Sequence, residues 1–388
     1  MLDFKEAVPL SLYVHLPWCL KKCPYCDFNS HERNVDVDMQ LDYVDALVRD
    51  LEFDLPRIWG RQIVSVFIGG GTPSLFSVEA IDRLLAALRA RLNLHPGIEV
   101  SMEANPGTAE AEKFKGYRDA GINRLSLGIQ SLNDDHLKAL GRIHDSHEAL
   151  AAVEIARAAG FDNLNLDIMF GLPGQDTGQA LSDLQQAIEL KPAHISWYQL
   201  TLEPNTVFHA RPPALPDDDL TWEMQEAGQA LLAENGYIQY EISAYAQNTK
   251  RCEHNLNYWE FGDYLGIGAG AHGKLTNVAE GRIERFSRHR LPARYLELAG
   301  SEQAVTTNRV LTRAELPLEF MLNAMRLVEG VPTQLFLQRT GMPLTVIDRE
   351  LDAAEKQGLL HWNVQQLAPT DKGQRYLNNL LSLFMEGE

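Results

Sequence analysis

The chain has 388 residues, 45% of them hydrophobic, and a formal net charge of −18 at pH 7. Its length allows a sizeable core, one large domain plus a smaller one, and it contains no run of about 18 apolar residues, so it reads as soluble and globular. The acidic balance repels phosphate backbones at long range, so no nucleic-acid partner is expected.

The N-terminal stretch MLDFKEAVPLSLYVHL lacks a basic region followed by an apolar block and a small-residue cleavage site, so no secretory signal is expected. Of the four cysteines, Cys19, Cys23 and Cys26 share one loop and Cys252 stands far off. That clustering suits metal binding in a reducing compartment better than a disulfide framework, and the expected location is cytoplasmic.

Six short apolar stretches recur, each followed by a helix-like segment: Ser11–Leu16, Ile63–Ile68, Ile98–Ala104, Arg124–Gln130, Asn163–Met169 and His194–Leu200. Near-continuous apolar character predicts strands buried on both faces, as in a parallel sheet. Between them, Val78–Leu92 and His147–Ala159 place apolar residues at intervals of three and four, with Ser77 and Gly160 as terminal signals. Strand–helix alternation predicts an α/β fold, either a doubly wound sheet or an incomplete barrel. The basic stretch Arg282–Arg294 reads as a solvated strip or linker. Beyond Thr312, three helix-like runs and a short alternating segment resemble a winged helix. The third run carries as many acids as bases, so a protein-contact or lid role is expected there.

The spacing C-x3-C-x2-C holds three thiols on a tight loop just after the first strand. Three thiolates leave one iron of a [4Fe–4S] cluster open, whereas zinc would need His15 or His31 as a fourth ligand. GGGTPS (Gly69–Ser74) ends the second strand, where glycines permit close backbone approach. Glu103, Gln130 and Asp167 lie in or just after buried strands, where polar groups are costly unless paired.

On the cysteine loop and the GGG stretch together, the chain resembles the radical S-adenosylmethionine (SAM) superfamily, and on SMEANPG, GIQS and NLDIMFGLPGQ its coproporphyrinogen III oxidase-like branch. The resemblance implies a partial (β/α)6 radical SAM barrel over 1–240, a connecting segment with the HNLNYW motif over 241–300, and a winged-helix-like α+β domain over 301–388. It implies a [4Fe–4S] cluster on Cys19, Cys23 and Cys26, whose open iron is chelated by SAM, and an electron donor for the cluster. Tyr13, Tyr25, Gly70, Gly71, Thr72, Glu103, Gln130, Arg142 and Asp167 match SAM-contacting positions, and Thr201 matches more loosely.

The branch holds oxidases, which carry a fourth cysteine two residues after the third, and haem chaperones, which carry HNLNYW. Phe28 stands at that fourth position here, and His254–Trp259 reads HNLNYW. The oxidases also carry an N-terminal arm of several tens of residues, whereas Tyr13 comes almost at once here. The expected function is therefore binding haem and transferring it to acceptor proteins, membrane-bound respiratory enzymes among them, and not oxidative decarboxylation of coproporphyrinogen III. His254 is the expected haem ligand, imidazole being a standard axial group, with the thiolate of Cys252, two residues earlier, as the alternative. Gly268–Gly273 matches GxGxxG but opens no first βα unit, so it reads as a close-approach loop on the SAM side of the barrel, with His272 facing the site.

Overall fold

The computed structural model describes residues 2–247 and 250–385. Strand β1 (Leu10–Leu16) buries every residue but Tyr13, which is half-buried, and so has neighbours on both faces and both edges. The parallel strands β2 (Gln62–Gly70), β3 (Asn93–Ala104), β4 (Arg124–Gln130), β5 (Leu164–Phe170) and β6 (His194–Gln199) follow it in order across the sheet. Helices fill each crossover, as parallel pairing requires. Val78–Arg91 begins at Ser77, whose hydroxyl accepts from the Ala80 amide at 3.1 Å, and Gly160, with φ +89°, follows the helix Ser146–Ala158. These six units form the expected partial barrel.

The sheet does not end there. Strands β7 (Tyr237–Glu241) and β8 (Ala244–Gln247) extend it antiparallel past β6. On the other side, β9 (Asp263–Ile267) pairs parallel with β1, and β10 (His272–Asn277), β11 (Arg282–Arg288) and β12 (Val305–Val310) continue antiparallel. Residues 241–300, expected as a connection, thus contribute strands to the main sheet, and the basic stretch from Arg282 begins as strand β11. Its arginines are not all solvated: Arg288 is fully buried and pairs with Asp50 and Asp54 of the helix Val37–Asp54. The loop between β9 and β10 makes the expected close approach, since a Cβ on Gly268 (φ +110°) would lie 2.4 Å from the His15 carbonyl oxygen.

A second core gathers Phe320, Phe336, Leu351 and Leu367 with Leu2 and Phe4. It belongs to helices Glu315–Ala324, Gln334–Thr340 and Asp348–Lys356 and a small sheet of Val331–Pro332, Gln366–Pro369 and Leu360–Trp362, the winged-helix-like arrangement. Among the described residues, no helix is long and apolar enough to cross a membrane.

Candidate functional site

The C-terminal ends of β1–β6 open on a cavity of about 460 Å³. Cys19, Cys23 and Cys26 all line it, and none forms a disulfide. The loop that carries them is pinned at both ends, because Trp18–Cys19 pairs with His31–Glu32. Lys22 Nζ tightens it further by donating to the carbonyls of Phe28 (3.0 Å) and Ser30 (3.2 Å). Donors surround the sulfurs: Thr72 Oγ1 reaches Cys19 Sγ at 3.4 Å and Arg142 Nη1 reaches Cys23 Sγ at 3.6 Å, while the Ser30 hydroxyl lies 3.7 Å from Cys26 Sγ. Burial pushes the Cys19 and Cys26 thiols up, so binding a metal there must release protons.

The GGG stretch packs against this loop. A Cβ on Gly71 would sit 2.6 Å from the Trp18 carbonyl oxygen, and one on Gly70 (φ +119°) would sit 2.7 Å from the His15 ring. The amides of Gly71 and Thr72 donate to the carbonyls of Leu16 and Trp18, each at 2.8 Å, and the Gly70 amide donates to Glu103 at 3.0 Å. Here glycine is required by the approach of the protein's own cysteine loop, a partner invisible in the local sequence.

Of the remaining predicted residues, Tyr25, Glu103, Gln130, Arg142, Asp167 and Thr201 line the same cavity, whereas Tyr13 and Gly70 line its neighbour. Burial, with Asp167 close by, pushes Glu103 up to about 8. Burial also raises Asp167, although Asn165 and Ser126 donate to it at 2.8 and 3.0 Å. Gln130 adopts φ +71°, a strained conformation for a non-glycine residue, and its side-chain oxygen accepts from Tyr198 at 2.8 Å. Asn105, which sequence reasoning missed, accepts from Arg142 at 2.8 Å and donates to Thr72 at 3.3 Å, tying two predicted residues together. Its signal was its place two positions after Glu103.

His254 is elsewhere. It packs at the level of Glu99, which precedes Glu103 by four positions, about 13 Å along β3. The ring stacks on Phe67 with centroids 4.1 Å apart, and its Nδ1 lies 3.1 Å from Glu99 and 3.2 Å from Cys252 Sγ. Burial alone would raise Glu99, but the His254 hydrogen bond and the Arg124 charge hold it at about 2. With 4% of its surface exposed and its ring held in this network, His254 lines neither the thiol cavity nor its neighbour. Tyr258 and Trp259 of the same motif do line a cavity, the neighbour of the thiol cavity.

The sequence profile of the radical SAM superfamily matches residues 13–187, and that of the HemN C-terminal domain matches 311–376. The Heme chaperone HemW of Haemophilus influenzae is 50% identical over 98% of this chain and 99% of its own length. The chain belongs to the HemW family. The HemW of Escherichia coli is 49% identical over 97% of this chain and 98% of its own length. A mitochondrial relative from Bos taurus, radical S-adenosyl methionine domain-containing protein 1, is 36% identical over 96% of this chain and 86% of its own. Among solved structures, Escherichia coli coproporphyrinogen III oxidase (HemN) superposes with TM-score 0.81 at 24% identity, covering 97% of this chain and 90% of that one, which shows a shared fold. As a radical SAM protein of the HemW family, the chain falls in a superfamily that binds a [4Fe–4S] cluster and SAM.

Proposed function

We propose that this protein is a haem chaperone that holds a [4Fe–4S] cluster on Cys19, Cys23 and Cys26, binds SAM in the 460 Å³ cavity, and passes haem to an acceptor protein. The observation that carries this reading is near-full-length identity to proteins named haem chaperones, in a chain that keeps three unpaired thiols on one cavity.

The donor set fits the cluster. Three soft thiolates on a loop pinned at both ends suit iron–sulfur ligation, and leave one iron for an outside ligand. When bound, the cluster supplies one-electron chemistry and an open coordination position for SAM's amino and carboxylate groups. The protein's own residues then bind and orient. Glu103 and Asp167 are buried carboxyl groups raised by burial, so a cationic ligand such as SAM's sulfonium is favoured beside them. Arg142 braces the Cys23 side, Gln130 is fixed by Tyr198, and Tyr25 and Thr201 border the opening. Tyr13 acts at one remove, because its hydroxyl shares a 2.8 Å hydrogen bond with His15, whose ring packs on Gly70.

Phe28 weighs against porphyrinogen oxidation. It stands where the oxidases of this branch carry a further cysteine, and it is 57% exposed at the cavity edge. Reduced, cluster-reconstituted protein incubated with SAM and coproporphyrinogen III is expected to form no protoporphyrinogen IX. Accumulation of that product would overturn the chaperone reading. Cys19→Ser, Cys23→Ser and Cys26→Ser should each abolish retention of iron and sulfide after anaerobic reconstitution, and retention by all three would refute the cluster assignment.

A further inference from the structure

A second cavity, of about 800 Å³, adjoins the thiol cavity, and Asp27, Phe28 and Glu103 line both. Its size falls in the range of sites that take a large planar ligand. One wall is aromatic: Tyr258, Trp259 and Tyr264, with the Tyr258 and Tyr264 rings 5.0 Å apart edge to face. The other comes from β10 and β11 and the turn after them, and carries Lys274, Arg285, Arg288 and Arg290. A wall this basic stands out in a chain of net charge −18.

The four cations are not equivalent. Lys274 is paired with Asp263 at 3.0 Å, Arg288 with Asp50 at 2.9 Å, and Arg285 with Glu319. Arg290 has no carboxylate partner among the described residues; its Nε lies 3.5 Å from the Asn29 side-chain oxygen. Two histidines line the cavity, His15 and His272. Both ring nitrogens of His15 are engaged, one by the Tyr13 hydroxyl at 2.8 Å and one by the Asn29 carbonyl at 2.9 Å. His272 opens β10, is exposed, and has no side-chain hydrogen bond among the described residues.

We propose that haem occupies this second cavity, with the His272 imidazole on the iron, the Tyr258–Trp259 wall against the porphyrin face, and Arg290, seconded by Arg285, on the propionate carboxylates. The placement rests on the haem-binding reading above and adds the site and its ligand. It also gives the HNLNYW motif a divided role: His254 ties the motif into the barrel interior, and its aromatic end faces the cargo. Partial burial and the nearby Arg285 and Arg290 lower the His272 pKa, so its ring is neutral at physiological pH, as iron ligation requires.

The test is titration of ferric haemin into the full-length, cluster-reconstituted protein, followed by the Soret band and by resonance Raman for the axial ligand. If the wild type gives no saturable band, the haem-binding reading itself fails. If it binds, His272→Ala should weaken affinity about tenfold, shift the band and recover the wild-type spectrum on adding imidazole. Arg290→Glu should weaken haemin about tenfold while leaving haemin dimethyl ester unchanged. Both positions are exposed, so circular dichroism and cluster iron content should match wild type in each variant. Wild-type affinity and spectrum in His272→Ala, a thiolate or phenolate signature in the wild type, or equal loss of haemin and its ester in Arg290→Glu would overturn the placement.

Discussion

Glu103 and Asp167 show what single residues contribute at this site. Two carboxyl groups that bury themselves together resist ionisation until a cation arrives, and Glu103 stays protonated up to about pH 8. Its folded pKa lies above its unfolded value of 4.5. The linked stability is therefore fully present below about pH 4.5 and is lost as pH rises through about 8. Chemical denaturation of the SAM-free, cluster-free protein should show stability falling across that window, and Glu103→Gln should flatten the slope. An unchanged slope would mean that Glu103 is ionised in the folded state. His254 makes the contrasting case. In sequence it reads as a ligand, because HNLNYW puts imidazole beside aromatics, yet its defining partner, Glu99, is 155 positions away. No local pattern reveals such a contact. His254→Ala should cost roughly 2–4 kcal/mol of stability, measured by urea unfolding, through the lost Phe67 stack and the stranded Glu99 charge. In conditions where the variant is folded, its haemin affinity should equal wild type, and a lost Soret band would restore His254 as the ligand.

At the scale of elements, β2 and the cysteine loop form one unit. Gly71 is where the strand end passes beneath Trp18, and a methyl group there has no room. Gly71→Ala should cost about 1–3 kcal/mol by thermal unfolding and lower iron retention, since the loop must lift to accept the methyl. Full retention would show that the loop tolerates displacement. Arg288 joins β11 to the helix Val37–Asp54 from a fully buried position between Asp50 and Asp54. Arg288→Ala leaves two buried acids facing each other, and a loss of about 3–5 kcal/mol is expected in urea unfolding. The first six strands were legible because both their faces are buried and apolar residues run almost unbroken. Strand β11, RIERFSR, was not: Arg288 looks solvated until its partners, 238 and 234 positions away, are known. The thiols and the polar strand residues were singled out through spacing and resemblance, whereas Asn105 and Tyr198, which line the same cavity, have their partners, Arg142 and Gln130, 37 and 68 positions away.

Across the whole molecule, one sheet builds both cavities: its parallel strands frame the thiol cavity, and its extension beyond β1 walls the larger one. They share Asp27, Phe28 and Glu103, so a ligand that moves this wall from one cavity is felt in the other. Linkage then requires SAM and haem to change each other's affinity by the same factor. On the proposed placements of SAM and haem, calorimetric titrations of haemin with and without SAM should differ by about fivefold or more. Identical isotherms would show that the cavities are independent. The sequence also concealed this arrangement, because the larger cavity is assembled from residues between Tyr13 and Asn323 that meet only once β9 pairs with β1. A haem carrier must first take up haem, and titration of the wild-type protein with haemin measures that step. One saturable Soret transition ending near one haem per chain is expected, matching the single cavity proposed for it; a difference spectrum that rises without saturation, as for haemin in buffer, would contradict it.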